Sequence, residues 1–126
     1  MKLHLVDGLL FTKVELSHDG RVLELDRILV DTGSGGTVFA ADQVSDLKLY
    51  PEPDDKIRRI AGVGGSEYVF EKRIDALSVG DITVPNQTVE IGALDYGFGI
   101  GGIIGLDFLV SSRAVLDFLD LTLKSH

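Results

Sequence analysis

The chain has 126 residues, a formal charge of −8 and no cysteine. That length suits one domain with one core, so residues 1–126 are expected to form a single domain. The acidic balance disfavours nucleic acid and anionic membrane partners, and the missing thiols exclude disulfides, cysteine nucleophiles and thiolate metal sites.

The N-terminal run from Met1 to Gly8 carries one lysine and reaches an acid at Asp7. It is unlike a signal peptide, and no apolar run approaches the roughly 20 residues of a membrane span. The expected compartment is the cytoplasm. Fifteen glycines and three prolines then cut the chain into short apolar pieces. Leu10 to Ser17 and Arg21 to Val30 read as strands joined at His18-Asp19-Gly20, because Asp-Gly between β-rich runs marks a hairpin. Ala40 to Leu49 has room for a helical turn or two before Pro51 and Pro53. Lys56 to Ile60 and Glu67 to Ile74 are strand-like. Leu77 to Val79, Ile82 to Val84 and Thr88 to Ile91 read as further short strands, with turns at Gly80-Asp81 and Pro85-Asn86. Tyr96 to Gly102 reads as a glycine-rich loop. The spacing predicts a helix over Leu106 to Ser111, then strands over Ala114 to Phe118 and Leu121 to Leu123. Many short strands at close spacing imply an all-β barrel or sandwich. Phe108, Leu109, Val115, Leu116 and Phe118 are core candidates.

One segment carries chemistry. Ile28-Leu29-Val30 runs straight into Asp31-Thr32-Gly33-Ser34. A carboxylate at the end of a buried strand is costly unless its charge is managed. Thr32 and Ser34 offer hydroxyl donors, and Gly33 can bring a backbone N–H close. A second segment, Gly101-Gly102-Ile103-Ile104-Gly105, suggests a buried strand end that lets another backbone approach. Asp107 beyond it suits an N-cap or the first helical turn. The histidines His4, His18 and His126 are too scattered for a catalytic triad or a metal site. Ser34-Gly35-Gly36-Thr37 lacks the lysine of a phosphate-binding loop. The acids Glu52, Asp54 and Asp55 sit beside prolines and read as a solvated loop.

Asp31-Thr32-Gly33-Ser34 behind an apolar run, with Thr37 six residues on, resembles the active-site loop of retropepsin-type aspartic proteases. Ile103-Ile104-Gly105 with Asp107 is similar to the family's second signature. Ala61-Gly62-Val63-Gly64-Gly65 resembles its glycine-rich flap tip. The stretch from Asp31 to Gly105 is longer than in compact viral members, with the surplus expected around 50–55 and 95–102. The pattern is closer to the bacterial and archaeal single-domain members.

The resemblance implies a fold and a function. The fold is a closed six-stranded-type acid-protease barrel, all-β, with one short C-terminal helix and a glycine-rich flap hairpin. The function is peptide-bond hydrolysis by a homodimer, without metal or other cofactor. Asp31 supplies one catalytic carboxylate, and Asp31 of an identical partner supplies the other. The pair shares one proton. Thr32 is expected to bond across the interface, Gly33 to offer its N–H to the carboxylate and Ser34 its hydroxyl. Ala61 to Gly65 would close over an extended peptide. The alternative is a non-cleaving peptide-binding or interaction module on the same shell.

Overall fold

The computed structural model describes residues 1–62, 65–94 and 99–126, and of 60–62 and 65–67 the backbone alone. The chain is mostly strand. β1 is His4–Val6, β2 Leu9–His18 and β3 Arg21–Val30. β4 is Val38–Ala40, β5 Ile57–Gly62, β6 Gly65–Val79 and β7 Ile82–Gly92. β8 is Gly102–Ile104, followed by the helix α1, Leu106–Ser111. β9 is Ala114–Asp117 and β10 Thr122–Ser125. Among the described residues no helix is long and apolar enough to cross a membrane.

Among the described residues eight strands form one sheet in the order β1-β2-β3-β8-β4-β7-β6-β5, and β6 pairs β2 as well. The sheet therefore folds back on itself through β2, β3, β8, β4, β7 and β6. β9 and β10 form a separate antiparallel pair. That pair is tied to the N-terminus, where Leu3 N–H donates to Leu121 O at 2.8 Å and Leu123 N–H to Met1 O at 2.9 Å.

Local chemistry accounts for these elements. Asp19 and Gly20 both have positive φ, 50° and 78°, the pair of values a two-residue hairpin turn of matching twist requires. Asp7 and Gly8 repeat the device with φ of 52° and 80°, turning β1 into β2. This second Asp-Gly is the signal that would have revealed β1 in the sequence. The helical turn expected over 40–49 is a single 3-10 turn at Ser45–Leu47.

Two strand assignments change. The pieces expected at 67–74 and 77–79 are one strand, β6, and those at 82–84 and 88–91 are one strand, β7. Pro85-Asn86 is not a chain reversal: it lies inside β7, opposite Ala76 and its neighbours. β7 pairs β4 only over 90–92, so its other edge is open around Pro85 and loses no ladder bond to the missing N–H.

Alternation along the strands packs Leu16, Ile28, Phe39, Ile74, Leu77, Ile91, Ile104, Phe108 and Leu123 into one fully buried core. Leu109 joins them, and Leu116 packs against them. The remaining core candidates do not. Val115 is 37% exposed, on the face of β9 opposite Leu116, and Phe118 is 69% exposed in the turn after β9.

Candidate functional site

Asp31 stands where β3 ends. β3 pairs β8 in parallel, with Val30 opposite Ile104, and Asp31 N–H continues the ladder by donating to Ile104 O at 2.9 Å. The two sequence signatures are thus neighbouring strand ends. Beyond this bond the chain turns, with Ser34 N–H donating to Asp31 O at 3.2 Å. The turn brings Gly33 N–H onto Asp31 Oδ1 at 2.9 Å, as expected of Gly33. Asp31 is half-buried, and Thr32 and Gly33 are exposed beside it.

Ser34 differs from expectation. Its hydroxyl donates to Gly36 O at 2.7 Å, not to the Asp31 carboxylate. A hydroxyl has one proton, so Ser34 stiffens the loop instead of stabilising the charge. The Ser34 carbonyl in turn accepts from Leu106 N–H at 2.8 Å, joining the loop to the start of α1.

Gly105 explains why no side chain stands at the junction. A Cβ there would collide with the Gly36 carbonyl and come within 2.8 Å of Ser34 O. The close backbone approach expected of this glycine is therefore an approach to the Asp31 loop.

The network behind the loop centres on a residue read as a helix-start acid. Gly105 is the N-cap and Asp107 lies in the first turn. Its carboxylate accepts from Thr37 Oγ1 at 2.7 Å, Thr37 N–H at 3.3 Å, Gln87 Nε2 at 3.2 Å and Phe108 N–H at 2.8 Å. Thr37 is fully buried and its hydroxyl also accepts from Gly105 N–H at 3.1 Å. The carboxylate is thus spent on holding three segments together. Sequence spacing had no means of pairing positions 37, 87 and 107, which are distant along the chain.

Among the described residues, clefts border the loop. A small one of about 260 Å³ has Asp31 and Thr32 in its wall, with Gly8, Leu9, Leu10, Leu116 and Phe118. A larger one of about 760 Å³ runs along Gly33 to Gly36 on the other side and reaches Arg58, Glu71 and Glu90. Arg58 makes a two-pronged ion pair with Glu90, Nε to Oε2 at 2.7 Å and Nη2 to Oε1 at 2.6 Å. The hydrogen bond to Glu90 holds the Arg58 guanidinium above its already high ordinary value, with the Glu90 and Glu71 charges adding to it.

The glycine-rich hairpin is present as the β5–β6 ladder, in register from Ile57 opposite Phe70 to Gly62 opposite Gly65. Ala61, Gly62 and Gly65 lie in these strands, while Val63 and Gly64 lie outside the described residues. Tyr96 of the second glycine-rich loop lies outside them too. Lys72 on β6 is tied to the preceding loop by Glu52 at 2.6 Å and Asp55 at 2.8 Å. The acids at 52 and 55 are thus partly spent on an ion cluster, where a freely solvated loop was expected. No metal-sized group of three His, Asp or Glu side chains exists among the described residues.

Comparison with known proteins agrees with this geometry. The aspartyl protease family pattern matches residues 14–108, from β2 through the start of α1. Polyporopepsin of Irpex lacteus is 35% identical over 85 residues, which cover 63% of this chain. The chain spans only 23% of that relative's length. The match contains Asp31-Thr32-Gly33, the loop beneath it and the strand end that supports it, and the chain belongs to the aspartyl protease family.

Proposed function

We propose that the chain is an aspartic endopeptidase of the single-domain, retropepsin-like kind, working as a homodimer on extended peptide. The observation that carries this reading is Asp31 itself: a half-exposed carboxylate at a strand end, oriented by Gly33 N–H and bordering an open cleft. The circuit of pairings through six strands supports the closed barrel, and the β5–β6 ladder supports a flap hairpin.

One such carboxylate is half of the chemistry. A two-fold axis near Asp31 supplies the second from the same residue of the partner. Exposed Phe118 and Leu119, 69% and 92% accessible, lie at the tip of the β9–β10 hairpin, and Phe118 walls the Asp31 cleft. Apolar surface in that position favours burial against a second copy.

In the dimer the two carboxylates hold one proton between them. The ionised member takes a proton from water as the water oxygen bonds to the peptide carbonyl carbon. The protonated member gives its proton to the carbonyl oxygen, forming a neutral tetrahedral diol. Collapse breaks the C–N bond, and the leaving nitrogen takes a proton from the dyad as the diol returns one. Thr32 bonds across the axis and keeps the two loops in register. Residues 61 to 65 close over the substrate and exclude water.

The test is cleavage of an unstructured protein at acid pH. Cleavage that pepstatin blocks, and that Asp31→Asn loses while keeping its far-ultraviolet circular dichroism, supports the assignment. An Asp31→Asn variant that cleaves at the wild-type rate overturns it. A wild-type chain that binds peptide without cutting it favours the binding-module alternative.

A further inference from the structure

The Arg58–Glu90 pair joins two strands that are not neighbours. β5 lies at the end of the sheet beside β6, and β6 separates it from β7. In register, Arg58 faces Val69 across the first ladder, and Val69 faces Gly92 across the second. Glu90 is two residues from Gly92 and so shares its face of β7. A Cβ at Gly92 would come within 2.7 Å of the Val69 side chain and 2.9 Å of Tyr68 O. The pair therefore reaches diagonally across β6, from the level of Val69 to that of Glu71.

The pair also abuts the catalytic loop. A Cβ at Gly36 would collide with Glu90 Oε1 and lie 3.6 Å from Arg58 Nη2. Gly36 is five residues after Asp31, and Arg58 is four before Gly62. One ion pair thus touches the hairpin strand, the body of the sheet and the active-site loop. Its Glu90 end is 8% exposed and its Arg58 end 55% exposed. A buried carboxylate gives little net stability over an apolar side chain of like size. What a planar guanidinium fork adds is direction, since two parallel bonds fix both distance and angle.

We propose that Arg58 and Glu90 are positioning residues that latch the β5–β6 hairpin to β7 beside Gly36 and so set the width of the larger cleft. This rests on the protease reading, in which the cleft receives the substrate chain. Without the latch β5 is held through the β6 ladder, and the hairpin swings relative to the loop. Substrate binding loses order while the reacting groups on Asp31 stay in place.

The experiment uses Arg58→Gln, Arg58→Lys and the double variant Arg58→Gln with Glu90→Gln. The double variant leaves no unpaired buried charge if the single one fails to fold. Steady-state kinetics on a peptide substrate are expected to show KM raised roughly tenfold with kcat within about twofold, and Arg58→Lys recovering part of the loss. Amide hydrogen exchange is expected to quicken over residues 57–62 and to stay unchanged in the β2–β3 ladder. Unchanged exchange at 57–62 overturns the latch, as does a uniform rise across the molecule. Quickened exchange with KM unchanged overturns the positioning role. A wild-type chain that cleaves no peptide removes the protease reading instead, and exchange at 57–62 then judges the latch by itself.

Discussion

Thr37 Oγ1 donates to Asp107 Oδ1 at 2.7 Å and accepts from Gly105 N–H at 3.1 Å, so one buried hydroxyl joins the Asp31 loop to the start of the helix behind it. Both functions of the hydroxyl are used, and the side chain is fully buried, so a lost partner leaves a buried polar group unsatisfied. Thr37→Val keeps the shape and removes both bonds. It is expected to cost about 1–3 kcal/mol, read as a lower midpoint in urea at unchanged slope. A midpoint equal to wild type would show that the network contributes nothing.

Gly105→Ala tests the same junction by sterics. The added methyl meets the Gly36 carbonyl, which is backbone and cannot swing aside. A loss of roughly 1–3 kcal/mol is expected, with activity falling further than stability because the displaced segment carries Asp31. Thermal melts beside peptide-cleavage rates measure the two together.

The Lys72 cluster gives stability a defined pH dependence. The Lys72 hydrogen bond holds the Asp55 carboxyl below its ordinary value of 3.8, against a smaller opposing effect of burial. A lowered folded value means that the contribution is complete above the unfolded value and is lost as pH falls through the folded one. Burial pushes the Lys72 amine down, but its hydrogen bonds to Asp55 and Glu52 outweigh that and hold it above 10.5. That contribution is complete below the unfolded value and is lost only as pH rises through the folded one. Asp55→Asn is therefore expected to be less stable than wild type at pH 7, with the gap closing below pH 3.8. Urea midpoints of both proteins at pH 7, 5, 3 and 2 decide this; a gap of constant size down to pH 2 would contradict it.

Association is expected to depend on pH as well. Each chain carries −8, so two copies repel at neutral pH, most strongly at low salt. The proposed site adds one Asp31 facing another, a repulsion that a shared proton relieves. In the proposed dimer, association then takes up protons and tightens as pH falls from neutral. Sedimentation velocity over a range of pH and concentration follows it. A chain that is monomeric at pH 5 and high concentration, yet cleaves peptide, would defeat the two-fold site.

In the proposed dimer, the exposed apolar surface at the β9–β10 tip is the other half of that interface. Phe118→Ser and Leu119→Ser are exposed substitutions and are expected to leave the melting temperature of the monomer within a few degrees. Their expected effect is on the dimer, shifting its dissociation constant upward by tenfold or more. Equal dissociation constants in wild type and both variants would move the interface elsewhere.

Local chemistry was enough to read much of this chain. Arg21 to Val30 and Leu106 to Ser111 are bounded by their own turn and glycine signals, and both segments lie where spacing placed them. The Asp31-Thr32-Gly33 turn was legible because a carboxylate after a buried strand needs a close N–H, and only a small turn supplies one. Tertiary structure decided the rest. Whether Pro85-Asn86 turns the chain or continues a strand depends on which edge of β7 is paired, and no local preference encodes that. The Ser34 hydroxyl was expected on Asp31, and the folded loop turns it to the Gly36 carbonyl instead. Thr37 with Asp107, and Arg58 with Glu90, are partners 70 and 32 positions apart. Their meeting follows from how β4, β5, β7 and α1 stack on one core, a property of the whole chain and not of any segment of it.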